Sequence, residues 1–409
     1  MGVGTGRDTI SVRRHNLRTV LRHLHLSGPS TRVELGRVTG LTRSAVGDLV
    51  AELIARELVR ESDSEASGGR RGRPSLLVAP RDDRARVLAV NIRADTLRAA
   101  LVSLGGTVSE VGEVPHDHVP GDPGAGLDQL ANLVRDRLDA LAAPPLAVGI
   151  SVPGLVRATD GSVALAPLLG WRDLPLVAEL RRRVDVDVPV VTANESNLSA
   201  LAEHLRGAGR DHDHMIYLHA ELGVGGGFVV DGKLLLGGHP GYGGEVGHMV
   251  VDPGGLPCHC GGHGCWETQV GADAVLRHAG ITVEGASGRR TALAELLARA
   301  DDHDPQAQAA LAALVRPLGA GIATLISLFN PERIILSGLF AHLLRHFEPE
   351  LRDAVEYHRP ALSNRSTDVV PAQLGGAAPL LGAAEAAIDA FLDAFATTRT
   401  GHHLREGAL

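Results

Sequence analysis

The hydrophobic pattern near the N-terminus predicts two short helices. Apolar residues recur at helical spacing between Val12 and Leu26, which predicts the first helix. Thr31 and Glu34 have the spacing of a capping box, so a second helix should begin there and end at Gly40. The apolar positions expected to face inward are Val12, Leu17, Val20, Leu21 and Leu24 in the first helix, and Leu35 and Val38 in the second.

A third helix is predicted to follow Thr42, which is a favourable N-cap residue. Two helices joined by a tight turn that contains glycine are typical of a helix-turn-helix, whose second helix enters the DNA major groove. The third helix should bury Val46, Leu49, Val50, Leu53 and Ile54. Its outward residues near the start, and hence the expected DNA contacts, are Arg43, Ser44, Gly47 and Asp48.

The next segment, LVRESDSEASGGRRGRPSLLVAP, has the pattern of a strand, a turn and a second strand, which predicts the wing of a winged helix. The turn contains Arg70, Arg71 and Arg73, a narrow cationic loop suited to phosphates or to a narrow minor groove. The alternative interpretation of this region is a helical dimerisation or linker domain with a solvated basic loop.

Beyond Pro80 the pattern changes to short β-rich runs that predict an antiparallel meander, a helix and a further strand. A similar hairpin recurs at MIYLHAELGVGGGFVVDGKLLLGG, which suggests a duplicated lobe with a cleft between two halves. Between the repeats, a predicted strand ends at Asn194 and Glu195 and a helix begins. Polar residues at the carboxyl end of a strand are typical ligand positions in α/β sheets.

Charge is distributed unevenly along the 409 residues, a length that favours more than one domain. Residues 1–76 contain 13 Arg and 8 Asp or Glu, whereas the rest contains 27 Lys or Arg and 40 acids. The basic end is therefore the part expected to face a polyanion. A membrane span and a secretory signal are not predicted, which makes the cytoplasm the expected location.

All three cysteines, Cys258, Cys260 and Cys265, lie in one glycine-rich loop, and His248 precedes Cys258 by ten residues. Three cysteines and one histidine are a closed tetrahedral zinc set, so the pattern predicts structural Zn²⁺. The alternatives are a strained disulfide between Cys258 and Cys260, or inert buried thiols.

The segments GEVGH and CHCGGHGCWE resemble the zinc and sugar signature of the ROK family, which is named for repressors, open reading frames and sugar kinases. The resemblance extends over nearly the whole chain, through GISVPGLV, GWRDLPL, ANESNLSALAE, LGVGGGFVVDGKLLLG, FNPERIILSG and LLGAAEAA. A preceding winged helix with GRRGRP in its wing is similar to the regulator branch of the family.

The resemblance implies an α/β chain in which a winged helix-turn-helix precedes a two-lobed actin-like, ribonuclease H-like fold that closes on a sugar. The expected domains are residues 1–80 for DNA binding and 81–398 for sugar binding, with a disordered tail at 399–409. The first lobe would span about 81–195 plus the C-terminal helix, and the second about 196–380. The residues implied to bind sugar hydroxyls are Asn194, Glu195, Glu245, Glu267 and His248, which would also ligate zinc.

The chain departs from the sugar kinases of this family in the half that would bind ATP. Glu195 stands where the catalytic Asp is expected, and one extra methylene misplaces a catalytic base. The first phosphate loop reads NIRADT, without the expected pair of glycines, and Glu221 precedes the second loop. LSGLF has one glycine where kinases usually have two. No catalytic residue is therefore predicted.

The sequence thus favours a transcription regulator, most simply a repressor, whose binding to double-stranded operator DNA responds to a sugar effector. A homodimer or homotetramer is expected, with no membrane partner. Two alternatives stay open at this point. One is an active ATP-dependent sugar kinase with a DNA-binding appendage, and the other is a DNA-binding protein whose acidic region serves only for dimerisation.

Overall fold

The computed structural model describes residues 9–63, 76–116, 122–359 and 367–397. Its N-terminal part is a winged helix-turn-helix, in which one strand pairs antiparallel with two others. The elements are α1 (Thr9–Ser27), β1 (Ser30–Thr31), α2 (Arg32–Thr39), α3 (Arg43–Ala55), β2 (Val59–Asp63) and β3 (Leu76–Pro80). The predicted wing contacts Arg70, Arg71 and Arg73 lie outside the described residues, as does the predicted tail at 399–409.

The predicted helix boundaries in this domain are confirmed by their caps. Thr31 and Glu34 form a complete capping box at the start of α2, and Gly40 ends that helix with a φ of 69°. Thr42 caps α3 by accepting a hydrogen bond from the backbone N–H of Ala45. The turn is thus set by the left-handed backbone of Gly40 at one end and by the side chain of Thr42 at the other.

Three of the predicted inward positions are wrong. Val12, Val38 and Ile54 are 42%, 43% and 39% exposed, because each lies at the margin of its helical stripe. Ile54 lines a shallow surface groove beside Val59 and Arg81 instead of the core. The centre of each stripe is buried as expected, at Leu17, Val20, Leu21, Leu24, Leu35, Val46, Leu49, Val50 and Leu53.

In the part of the chain described after Pro80, each of the two lobes contains a five-stranded sheet, and the strands of the two sheets follow the same order. In each sheet a three-stranded antiparallel meander comes first and two parallel strands are then added beside its first strand. The predicted duplication is therefore confirmed. The first sheet contains β4 (Arg86–Ile92), β5 (Thr96–Ser103), β6 (Val108–Pro115), β7 (Val148–Val152) and β11 (Val190–Asn194). The second contains β12 (Met215–Ala220), β13 (Val224–Val230), β14 (Lys233–Leu234), β15 (Arg333–Gly338) and β16 (Asp368–Pro371).

Within the described residues, a small third sheet and nine helices complete the two lobes. The small sheet consists of β8 (Leu155–Val156), β9 (Val163–Ala166) and β10 (Trp171–Leu174). The helices are α4 (Gly124–Asp139), α5 (Leu176–Arg183), α6 (Glu195–Arg206), α7 (Glu267–Val270), α8 (Ala272–His278), α9 (Gly285–Asp301), α10 (Pro305–Phe329), α11 (Leu339–His358) and α12 (Ala378–Thr397). The exact limits predicted for the domains and lobes stay predictions.

The C-terminal helix α12 joins the winged helix to the first lobe. It packs across β4, β7 and β11 on one side and against α1 on the other. One hydrophobic cluster therefore runs from α1 and α3 through α12 to the first sheet. In the second lobe α10 is long and apolar enough to cross a membrane, but its apolar residues pack in the core of that lobe.

Candidate functional site

The predicted metal ligands come together in the structure. One ligand atom from each of His248, Cys258, Cys260 and Cys265 lies within 4.8 Å of all the others. The sulfur of Cys258 is 3.7 Å from Nδ1 of His248, and the sulfurs of Cys260 and Cys265 are 3.6 Å apart. A tetrahedron built on metal–sulfur bonds of about 2.3 Å has edges of about 3.8 Å, so the spacing suits a metal ion such as zinc.

The state of the thiols argues against the alternatives considered for them. All three cysteines are free, so the disulfide between Cys258 and Cys260 is not formed, and Cys260 is exposed, so the three are not a set of buried inert thiols. Burial raises the pKa of Cys258 and of Cys265, so without a cation these thiols stay protonated. A bound metal would stabilise the thiolates in their place.

The loop is anchored by its neighbours in the core. Trp266 is fully buried, and its indole N–H donates to the carbonyl of Pro317 on α10. Gly321 leaves the space for this ring, since a Cβ there would lie 2.2 Å from it. Gly264 has a φ of 67° and faces the carbonyl oxygen of Asp252, where a side chain would not fit.

Glu267 connects the segment of candidate metal ligands, residues 248–265, to the second sheet, and this segment is called the metal loop below. One of its carboxylate oxygens accepts the backbone N–H of Val224 at 2.8 Å, and the other lies 3.6 Å from the sulfur of Cys258. Glu245 lies close enough to His248 and Glu267 for both to act on its charge. Burial raises the pKa of Glu245, and the nearby Glu267 carboxylate adds to the increase, although His248 acts in the opposite direction. Three of the five predicted sugar residues thus lie together beside the loop.

The other two predicted sugar residues, Asn194 and Glu195, lie at the junction of β11 and α6. The Asn194 side chain is the N-cap of α6, because its Oδ1 accepts the backbone N–H groups of Ser196 and Asn197. Its amide nitrogen donates to the carbonyl of Gly154 at 2.8 Å. Asn194 therefore fixes the direction in which α6 leaves the sheet, and its contact with sugar stays a prediction.

Glu195 is the first residue of α6 and lies among charged groups from both lobes. Burial raises the pKa of Glu195 to about 7, and although Arg93 acts in the opposite direction, Glu221 adds to the increase. A carboxyl group with such a pKa is partly protonated near neutral pH. It can therefore accept or donate a hydrogen bond to a hydroxyl group.

The glycine-rich run LGVGGG is explained by close packing. A Cβ on Gly225 would lie 2.1 Å from the hydroxyl oxygen of Ser196, and one on Gly227 would lie 2.6 Å from the carbonyl oxygen of the same residue. Gly226 faces Val246, two residues before the predicted metal ligand His248. These glycines let α6 and the metal loop approach β13, which brings the two groups of predicted sugar residues to the same strand.

Ion pairs join the two lobes at the segment NIRADT and at Glu221, which were compared above with the phosphate loops of sugar kinases. Arg93 donates to Glu221 at 2.5 Å, and Arg290 forms an ion pair with Asp95. The Nε of Arg290 is also 3.4 Å from Glu221. Sequence reasoning noted the changes at Arg93, Asp95 and Glu221 but missed Arg290, because no motif surrounds it on α9.

The predicted DNA-contacting end of α3 is accessible. Arg43, Ser44 and Asp48 are exposed, whereas Gly47 is partly buried, and a Cβ added to it would lie 3.5 Å from a guanidinium nitrogen of Arg32. The structure thus presents a polar surface at the start of the second helix of the helix-turn-helix. Individual base or phosphate contacts stay predictions.

Comparisons with known proteins agree with this architecture. The family model described as "ROK family" matches residues 87–390. The xylose repressor of Bacillus subtilis is 28% identical over 390 residues, covering 94% of this chain and 98% of the repressor. A glucokinase of Streptomyces coelicolor is 31% identical over 321 residues, covering 73% of this chain and 96% of the kinase.

Among solved structures, one described as a ROK family transcriptional regulator and homologue of the Escherichia coli MLC protein superimposes with a TM-score of 0.77. It is 26% identical in sequence and covers 94% of this chain and 99% of its own. The likeness therefore includes the winged helix as well as both lobes.

The raised pKa of Glu195 predicts a pH-dependent stability. Between its ordinary pKa of 4.5 and about 7, folded Glu195 keeps a proton that the unfolded chain has lost, so its contribution to stability decreases as pH rises. Glu195→Gln should raise the melting temperature more at pH 8 than at pH 5, because its gain in the free energy of unfolding should be larger at pH 8 by about 2.5 kcal/mol. The exposed Glu295→Gln should show no such dependence, and an equal gain for Glu195→Gln at both pH values would contradict the prediction.

Proposed function

This chain belongs to the ROK family, and from that premise we propose that it is a sequence-specific DNA-binding transcription regulator controlled by a sugar in the cleft between its lobes. The supporting observation is a winged helix whose core is continuous with that of the first lobe. The repressor and regulator likenesses extend over this winged helix, since each covers 94% of the chain, whereas the glucokinase covers 73%. Repression relieved by the sugar is the expected direction, and we place the protein in the cytoplasm as a homodimer or homotetramer.

The charges in the cleft favour sugar binding without phosphoryl transfer. Transfer from ATP requires backbone amides and cations that are free to hold phosphates. Here Arg93 and Arg290 are already paired with Glu221 and Asp95, and these carboxylates would repel a triphosphate. Gly225 and Gly227 of the glycine-rich run pack against Ser196 of α6, which leaves no room beside them for phosphates.

An active kinase is the second candidate function, and the glucokinase relative favours it. That protein is 31% identical and covers 73% of this chain. The substitutions in both phosphate loops and at Glu195 weigh against this candidate, because they change the groups on which the reaction depends.

We further propose that the four-ligand site binds structural zinc. Three cysteines and one histidine leave no position for a substrate, so the ion would act on shape alone. It would hold His248 through Nδ1, leave Nε2 of the same ring to donate to a sugar hydroxyl, and keep Glu267 beside β13.

A buried junction offers a route from the sugar residues to the DNA-binding domain. Helix α6 begins at Glu195 in the cleft and ends at Arg206, whose Nε donates to Glu385 on α12. The other oxygen of Glu385 lies 2.6 Å from Nε2 of His25 on α1. The carboxylate of Glu385 thus joins three helices. These are α6, which begins at the predicted sugar residues, α1 of the DNA-binding domain, and α12 between them.

Burial makes this junction sensitive to small displacements. Glu385 and His25 are only 2% and 4% exposed. Although burial acts to raise the pKa of Glu385, the hydrogen bond from His25 and the charge of Arg206 hold that pKa below its ordinary value. A shift of α6 on sugar binding would leave this charge partly unpaired unless α1 followed, which couples the two sites.

The function is tested by three measurements on the zinc-loaded protein. In a thermal-shift screen of glucose, xylose and N-acetylglucosamine with related sugars, at least one should raise the melting temperature. That sugar should change the affinity for a duplex selected from a random DNA library by about 5- to 150-fold. A coupled assay with ATP should show no turnover.

Two outcomes would contradict the proposed function. Steady sugar phosphorylation that Glu195→Ala abolishes would support the kinase. DNA binding without any sugar binding would support the interpretation of the acidic region as a dimerisation scaffold.

Zinc removal is expected to loosen the loop and weaken sugar binding. Cys260→Ser should lower the zinc content below one ion per chain, reduce the melting temperature and diminish the sugar-induced shift, because Glu267 and His248 lose their support. His259→Ala is the matched control, since His259 faces Asp273 at 3.2 Å and is outside the ligand set. Full sugar response in zinc-free protein would refute this role.

The junction is expected to transmit the sugar signal. Glu385→Gln should preserve shape but reduce the effect of the sugar on DNA affinity at least several-fold, because Arg206 and His25 lose their common charge. Asp393→Asn is the control, since the ion pair of Asp393 with Arg18 also joins α12 to α1 but at an exposed position. If Glu385→Gln prevents folding, Arg206→Lys provides the measurement. Unchanged sugar sensitivity in the folded variant would show that coupling follows another route.

A further inference from the structure

A second cluster of metal-binding side chains lies in the second lobe, away from the cysteine loop in sequence. Helix α9 ends at Asp301, and α11 presents His342 and His346 one turn apart toward it. One ligand atom from each of these three residues lies within 4.8 Å of the other two. Residues four apart on a helix share a face, so the two imidazoles can act together.

The distances within the cluster bracket those of a metal site. The Asp301 oxygen Oδ1 is 2.7 Å from Nε2 of His346 and 3.7 Å from Nδ1 of His342. Bonds of about 2.1 Å place neighbouring nitrogen and oxygen ligands roughly 3.0 to 3.4 Å apart, depending on geometry. Side-chain shifts of less than about 1 Å would therefore bring all three atoms around one ion.

His342 provides an independent sign that the cluster lacks a component. Its Nδ1 is buried and has no hydrogen-bond partner among the described residues, although it lies toward Asp301. A buried nitrogen without a partner is costly, and a metal ion would satisfy it. A simple ion pair between Asp301 and His346 explains only the second histidine.

We propose that Asp301, His342 and His346 form a second divalent-metal site, which takes an ion that prefers imidazole, such as Zn²⁺, Ni²⁺ or Co²⁺. Two histidines and one carboxylate are a common ligand set for such ions. Asp301 is 43% exposed, so water can complete the coordination. The bound ion would tie the end of α9 to the first half of α11.

One neighbouring charge opposes the ion and limits its affinity. Arg345 lies 3.9 Å from the same Asp301 oxygen. Its side chain is 63% exposed, so it can turn into solvent when a cation binds. We therefore expect weaker binding here than at the three cysteines and His248, with exchange of the ion in solution.

The site is tested by titrating the zinc-loaded full chain with Ni²⁺ and, separately, with Co²⁺. His342→Ala removes one ligand, so it should weaken the binding of one ion per chain at least roughly tenfold. Loss of a residue that only hydrogen-bonds to a ligand already lowers metal affinity by about 10- to 100-fold, and loss of the ligand itself should cost no less. Among the described residues His342 has a 3.7 Å approach to Asp301 and a stack on His346 but no hydrogen bond at Nδ1, so the variant should keep the fold. Asp301→Asn should act in the same direction, whereas the exposed His278→Ala on α8 should bind as the unaltered protein does.

The absorption of Co²⁺ distinguishes this site from the cysteine loop. Cobalt bound by histidine and carboxylate lacks the thiolate charge-transfer band that cobalt among cysteines produces. The proposal predicts an added spectrum without that band, and its loss in His342→Ala. Equal binding by the unaltered protein, His342→Ala and His278→Ala would show that other histidines hold the ion and would overturn the proposal.

Discussion

The close packing of α6 between the two lobes is the constraint on which the rest of the structure depends. On one side Gly225 and Gly227 admit the backbone of α6, and on the other a Cβ on Gly382 of α12 would lie 1.9 Å from the carbonyl oxygen of Leu198. Contacts of this kind leave no room for the helix to slide without moving its neighbours. The two ends of α6, Glu195 in the cleft and Arg206 at the junction, are therefore held in fixed relation to each other.

Charge is used differently at these two ends. Between the lobes, Arg93 pairs with Glu221 and Arg290 pairs with Asp95, so these ion pairs lie across the boundary of the two lobes. At the junction, Glu385 is buried among three helices and satisfied by two partners. Buried ion pairs add little net stability because desolvation is costly, but breaking one is strongly unfavourable. Such pairs suit a protein that would signal through a change in the relative position of its lobes and its DNA-binding domain.

The metal loop belongs to the same arrangement. Trp266 fixes it to α10, and Glu267 fixes it to the first residue of β13, the strand on which α6 also packs. The loop thus supports its predicted sugar residues from the second lobe, while α6 supports Glu195 from its own N-terminus. A ligand that touches both groups would sense the distance between the lobes, and that distance is what the junction would convey to α1.

The sequence alone determined the features that depend on neighbours along the chain: the caps at Thr31 and Thr42, the repeated hairpins, and a cluster of four candidate metal ligands between His248 and Cys265. Local hydrogen bonds and short loops decide these features, so they leave signatures in the residue order. Only the tertiary structure decided that Ile54 is exposed, that Arg290 pairs with Asp95, and that Arg206 meets Glu385. Those partners lie up to 195 positions apart, and which charges meet across such a distance depends on how whole helices pack.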